Sequence, residues 1–272
     1  MQPGNSTESQ KVRVTAVSYL NTKPFIYGIF RGAVSEMIDL SLDIPAVCAQ
    51  KLASGAADLA LAPVAIIPAL KEAYLVSDFC IGATGPVKTV CLFSDVPLPE
   101  IQRIYLDFHS KTSATLLPLL CREYWGIQPE FLPATEGFER QIGHRTAGLI
   151  IGDRAIGRER DFQYVYDLAE AWLAWTGLPF VFAAWVSVRP LPEAFITRFN
   201  AALQTGIDSI PELTKIIPQI PGIDLETYFR QNISYQLDEA KSRGLQLFLD
   251  HISGPNGYTL HRDNTLARVE TC

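Results

Sequence analysis

Four short stretches mark corners of the chain, and two of them carry side chains able to receive an anion. In Ser18-Tyr19-Leu20-Asn21-Thr22-Lys23-Pro24 a carboxamide, hydroxyls and an ammonium group stand between an apolar run over 12–17 and a proline. Proline suits a first helical turn, where its missing N–H has no intrahelical partner to lose, so the spacing predicts a strand over 12–17 and a helix from 24. The free N–H groups of that helix, with Lys23 beside them, favour negative charge beyond the strand end. The same pattern also fits Asn21 or Thr22 acting as a helix cap. Ser110-Lys111-Thr112-Ser113 precedes the apolar series Ala114, Leu116, Leu117, Leu120 and puts three hydroxyls at a helix N-terminus, as a carboxylate receptor or as an ordinary cap. Gly152 follows an apolar strand and allows a ligand close to the backbone; Asp153 next to it is an acid or a cap. Thr176-Gly177-Leu178-Pro179 reads as a helix C-cap followed by a breaker.

Other chemistries lack their residues. His109, His144, His251 and His261 show no H-x-x-x-H spacing with a carboxylate partner, and the five cysteines, Cys48, Cys80, Cys91, Cys121 and Cys272, contain no C-x-x-C. Neither a metal site nor a disulfide framework is expected. There is no G-x-S-x-G, no phosphate-binding G-x-x-x-x-G-K and no G-x-G-x-x-G, so hydrolase, kinase and dinucleotide readings fall away and no cofactor is expected. A net charge of −6 without a clustered basic face argues against nucleic acid as a partner. No apolar run is long enough for a membrane span, and residues 1–10 lack the basic and apolar regions of an export signal, which makes the cytoplasm the expected compartment.

At 272 residues the chain calls for one large or two modest α/β lobes. Strand and helix patterns alternate as in parallel βαβ units: strands over 12–17, 39–42, 58–62 and 75–82, helices over 24–30, 44–54 and 64–72. A crossing begins at 89–93. Strands over 103–108, 130–133, 147–151 and 164–166 and a helix over 113–125 form a second set. The run 180–188 returns to the first, followed by helices over 192–207, 211–217, 225–233 and 238–252 and a polar tail from 254. The expected lobes are 11–92 with 186–272, and 93–185, with hinges near 89–94 and 183–186 and a cleft between the sheets. Trp172, Trp175, Phe180 and Phe182 read as core.

The Ser18 to Pro24 stretch resembles the signature of the chorismate dehydratases of the futalosine route to menaquinone. Gly85-Pro86-Val87-Lys88-Thr89-Val90, the Ser110 and Gly152 corners, and Trp175 to Ala183 agree with it in order. The resemblance implies a two-lobed fold like that of type II periplasmic binding proteins, with a hinge and an interlobe cleft. It implies chorismate as the small-molecule substrate and 3-[(1-carboxyvinyl)oxy]benzoate plus water as products. It also implies that Asn21 orients the substrate and stabilises developing charge, and that Thr89, Thr112 and Ser113 grip carboxylates. Ser18, Tyr19, Leu20, Ser110, Gly152, Asp153, Thr176 and Gly177 fall in motifs expected to line the same site. Asn21 is no strong base, so the substrate's enolpyruvyl carboxylate is expected to take the proton. The 1,4-dihydroxy-6-naphthoate-forming enzyme of the same route resembles a pattern with His where this chain has Gly152. A solute receptor shares the fold, and effector-sensing domains of this fold follow a DNA-binding helix-turn-helix, for which the residues before Lys11 are too few.

Overall fold

Apolar runs bounded by proline and glycine set the order of elements in the computed structural model, which describes residues 11–107, 109–255 and 257–262. β1 (Val12–Val17) passes through a 3-10 turn (Leu20–Thr22) into α1 (Lys23–Arg31), followed by β2 (Ile38–Asp43), α2 (Pro45–Ala53), β3 (Leu59–Pro63) and β4 (Ala73–Ala83). Next come β5 (Val90–Ser94), β6 (Arg103–Leu106), α3 (Lys111–Glu123), β7 (Glu130–Pro133), β8 (Thr146–Ile151), β9 (Tyr164–Asp167) and α4 (Leu168–Thr176). β10 (Phe180–Ser187) leads to α5 (Glu193–Asp208), α6 (Ile210–Ile216), α7 (Leu225–Thr227), a π-helical turn (Tyr228–Asn232), β11 (Ser234–Gln236), α8 (Glu239–Ile252) and β12 (Leu260–Arg262).

The strands form two sheets, ordered β11-β4-β10-β3-β1-β2 with β12 on β4, and β7-β6-β8-β5-β9. Each sheet anchors one lobe of a two-lobed α/β fold. The sheets are mixed rather than parallel: β1 runs parallel to β2 and β3, but β10 is antiparallel to β3 and β4. Likewise β5 is antiparallel to β8 and β9. Both reversed strands follow a passage between sheets. The passages lie at 84–89 and 177–179, several residues before the expected ones. Residues 90–94 and 183–186 are buried inside β5 and β10, where neighbours on both sides hold the backbone by ladder hydrogen bonds. β11 and β12 are short strands on β4 with no clear sequence signal. The expected strand end at Phe108, the segment 1–10 and the tail from 263 fall outside the described residues.

α1 is held against β10 and α5 so closely that the start of the helix has little freedom. A side chain at Gly206 would put its Cβ 1.9 Å from the Pro24 carbonyl oxygen, and one at Gly28 would come 2.0 Å from that of Ala202. Trp185 of β10 lies between Phe25 of α1 and Phe199 of α5, with ring centroids 6.0 and 4.8 Å away. Phe25 also meets Tyr235 edge-on at 5.1 Å. Aromatic contacts of this kind add specific geometry to apolar burial.

Gly206→Ala should therefore cost about 1–3 kcal/mol by forcing the helices apart. Gly85→Ala, which meets nothing within 4 Å, should stay within about 0.5 kcal/mol in the same urea titration. Asp58 accepts from Arg13 and Arg189 at 3.0 Å each and ties β1 to the chain beyond β10; the Arg13 guanidinium chiefly holds its carboxyl far below the usual range. A depressed carboxyl pKa stabilises the fold above about pH 4, and that contribution is lost as pH falls from there toward the folded-state value. Asp58→Asn should lower stability by about 1 kcal/mol at pH 7, both arginines being half exposed. The difference from the parent should narrow on acidification from pH 4 toward pH 2.

Candidate active site

The corner after β1 does more than start a helix. Ser18 N–H still donates to the Asp43 carbonyl at 2.9 Å, after which Leu20–Thr22 form the 3-10 turn and α1 begins at Lys23 with Pro24 in its first turn. Neither Asn21 nor Thr22 caps α1 through its side chain. Thr22 Oγ1 instead donates to Asn21 Oδ1 at 3.2 Å, and the Asn21 carbonyl accepts the Tyr235 hydroxyl at 2.9 Å. The Asn21 side chain also lies beside the hydroxyl of fully buried Tyr228, itself 3.0 Å from Thr89 Oγ1. Burial pushes the Tyr228 hydroxyl pKa up, so it remains a neutral link. The string Thr22, Asn21, Tyr228, Thr89 fixes the carboxamide from both sides.

Asn21 and Thr89 face a cleft between the sheets. It is also lined by Ser110 and Ser113 at the start of α3, by Tyr19 and Gly152, and by apolar Val17, Ile81, Ile151 and Phe182. Ser110 caps α3, accepting from Ser113 N–H at 3.3 Å and from Ser113 Oγ at 3.2 Å. Among the described residues, no Asp, Glu, Lys or Arg lines this cleft. It leaves about 50 Å³, below the ~300 Å³ at which ligand pockets begin, so the lobes are closed on it. A hollow of about 380 Å³ lies outside, along one face of α1 from Lys23 to Arg31 and against Leu42, Leu213 and Ile217. Although larger, it is lined almost wholly by apolar surface, and convergent polar groups mark the smaller cleft as the site.

Several expected residues lie elsewhere. Ser18 lines the outer hollow. Leu20 is core, 1% exposed. Thr112 is turned away from the cleft, donating to the Phe182 carbonyl at 2.9 Å and accepting from Ala65 N–H at 3.3 Å. Thr176 donates to the Trp172 carbonyl at 2.8 Å, and Gly177 adopts φ 70° to end α4, so both serve as a helix terminus and neither lines the cleft. Asp153 does not point into the cleft either: its carboxylate accepts Leu20 N–H at 3.0 and 3.2 Å. Burial of that carboxyl against the corner raises its pKa although the residue keeps an exposed flank; the Leu20 N–H and Lys23 act in the opposite direction.

Tyr19, an expected site residue, brings with it Asp107, Glu139 and Arg154, which had no sequence signal of their own. Tyr19 hydroxyl lies 2.8 Å from His109 Nδ1, within the electrostatic reach of Arg154. Arg154 is held by buried Asp107 and, at 2.9 Å, by Glu139. Burial, then Asp107, raises the Tyr19 pKa; burial, then Arg154, lowers that of His109, which keeps the imidazole neutral near pH 7. Adjacency to Gly152-Asp153 is the one sequence feature that could have flagged Arg154. Among the described residues no group of His, Cys, Asp or Glu is arranged to hold a metal, and Cys48, Cys80, Cys91 and Cys121 are buried free thiols.

A family model described as menaquinone biosynthesis matches residues 12–253. Over 203 residues, 66% of this chain and 74% of the relative, the sequence is 30% identical to a chorismate dehydratase of Thermus thermophilus. A solved protein of Archaeoglobus fulgidus matches with a TM-score of 0.67 at 16% identity, over 89% of this chain and 97% of that one. The alkanesulfonate-binding protein of Xanthomonas axonopodis pv. citri, bound to MOPS, matches with a TM-score of 0.63 at 15% identity, over 93% and 98%. At such identities these structures speak for the fold, which is that of periplasmic binding proteins. With its first strand, its closing helices and nearly everything between covered by the family match, the chain belongs to the menaquinone-biosynthesis family that includes chorismate dehydratase.

Proposed function

We propose that this protein dehydrates chorismate to 3-[(1-carboxyvinyl)oxy]benzoate, with Asn21 as the central catalytic group. The observation that carries the reading is the convergence of Asn21, Thr89, Ser110 and Ser113, from three separate segments, on one cleft without a charged side chain. A dicarboxylate can be held there by hydroxyls and by the first-turn N–H groups of α3. The elimination then needs a base, and the lining supplies none. Asp107 is engaged by Arg154 and by the N–H groups of His109 and Ile151, and Asp153 by Leu20. The substrate's own enolpyruvyl carboxylate takes the C3 proton, the C4–O bond breaks, and the departing hydroxide leaves as water with that proton. The ring becomes aromatic, and no electron acceptor is required. Asn21, oriented by Tyr228 and Thr22, donates to the C4 oxygen as its charge develops.

Gly152 favours this reaction over the naphthoate-forming one. It has φ +64°, and a Cβ there would meet the Tyr19 ring at 2.7 Å, which leaves no room for the His of the sister pattern.

Incubation of the purified protein with chorismate alone, without added metal or cofactor, should remove the diene absorbance and yield the benzoate; a rate equal to buffer defeats the reading. Asn21→Asp keeps the size of the side chain, loses the donor and adds a negative charge. It should lower kcat by about 10²–10³-fold, with a smaller effect on KM. Turnover by Asn21→Asp near the parent rate would move the catalytic centre to another corner.

A further inference from the structure

Tyr19 belongs to the lobe of the first sheet, yet its side chain is held by the lobe of the second. The hydroxyl meets His109 Nδ1 at 2.8 Å near Arg154, and the ring lies over Gly152. These contacts rest on a firm base. Arg154 is fixed by Glu139 and by Asp107, which is 0% exposed and also accepts the N–H groups of His109 at 2.9 Å and Ile151 at 3.2 Å. One residue along, Leu20 N–H reaches the Asp153 carboxylate, and the residue after that is Asn21. The Tyr19 ring is also the partition between the two hollows, since Val17 and Tyr19 line both.

We propose that Tyr19 is a positioning residue: its hydroxyl, seated on His109, latches the lobes together at the cleft and sets Asn21 at its working distance from Ser110 and Ser113. A cleft of about 50 Å³ cannot admit a ring dicarboxylate as it stands, so each cycle releases this latch and remakes it. When the hydroxyl lets go, the partition leaves with the first lobe and the cleft opens into the outer hollow. Closure over the bound ring excludes water and restores the alignment. The latch follows from the contacts alone, whereas its consequence for turnover rests on the proposed dehydration.

Amide hydrogen exchange of the full unliganded chain tests it. Leu20 N–H is protected by Asp153 across the lobes, so Tyr19→Phe, which keeps the ring and deletes the hydroxyl, should speed Leu20 exchange by about five-fold, the effect of one hydrogen bond. Amides in the middle of α5 should not change. His109→Asn presents a neutral acceptor near the Nδ1 position and should preserve parent-like exchange, while His109→Leu should reproduce Tyr19→Phe. The double variant should be no faster than either single one, because both remove the same interaction. Unchanged Leu20 exchange in Tyr19→Phe, or additive effects in the double variant, would overturn the latch. With chorismate, Tyr19→Phe should lower kcat by no more than about five-fold as fewer bound complexes are closed; a fall of about 10²-fold without faster Leu20 exchange would instead make Tyr19 a direct participant in the chemistry. A parent protein inert toward chorismate defeats the proposed reaction, and the exchange measurements still decide the latch.

Discussion

A backbone N–H at Leu20 and a carboxylate at Asp153 join the two lobes at the mouth of the cleft, beside the Tyr19–His109 contact and apart from the Thr112 bonds to Ala65 and Phe182. Everything that gives the site its geometry depends on that junction. Asn21 is one residue from it, Gly152 one residue from it on the other side, and the Ser110 turn approaches from the same lobe as Asp153. The junction can be rigid because both partners stand at strand ends: β1 is buried between β2 and β3, β8 between β5 and β6. Strand ends in packed sheets are the best-positioned points of an α/β fold, which is why ligands collect there.

The electrostatics of the cleft complement this geometry. On the proposed reading, a protein carrying −6 overall binds a dianion with no lysine or arginine among the described residues of the lining. Arg154, the nearest guanidinium to the Tyr19 hydroxyl, is matched by Asp107 and Glu139 and offers little net positive charge. Attraction must come from hydroxyls, a carboxamide and helix N–H groups, which stabilise charge without presenting a competing ion. Such neutral donors would not quench the substrate carboxylate proposed as the base, whereas a fixed cation at the same point would.

Much of this could be read before any coordinates. Pro24 marked the start of α1 and thereby the corner that holds Asn21, and the Ser110 turn announced itself by hydroxyls ahead of an apolar helix. The details that failed are instructive. Thr112 and Ser113 have the same chemistry and adjacent numbers, but 100° of helical rotation sends one to the Phe182 carbonyl and the other to the cleft. Thr176 and Gly177 satisfied a helix terminus, the plainer of the two roles open to them. Strand direction is invisible in an apolar pattern, so the antiparallel course of β5 and β10 and the true passages at 84–89 and 177–179 emerged only with the pairing. Tyr228, which orients Asn21, comes from more than 200 residues away in a π-helical turn, and no local pattern links the two.

The account turns on which hollow holds the substrate. A crystal structure of Asn21→Asp soaked with chorismate would answer this directly, since slow turnover leaves the substrate intact. The prediction is a ring between residue 21 and the Ser110–Ser113 turn, its carboxylates on the Ser110, Ser113 and Thr89 hydroxyls and its C4 oxygen facing residue 21. A ring seated instead in the outer hollow against Tyr27 and Leu213, with the inner cleft still shut, would contradict it.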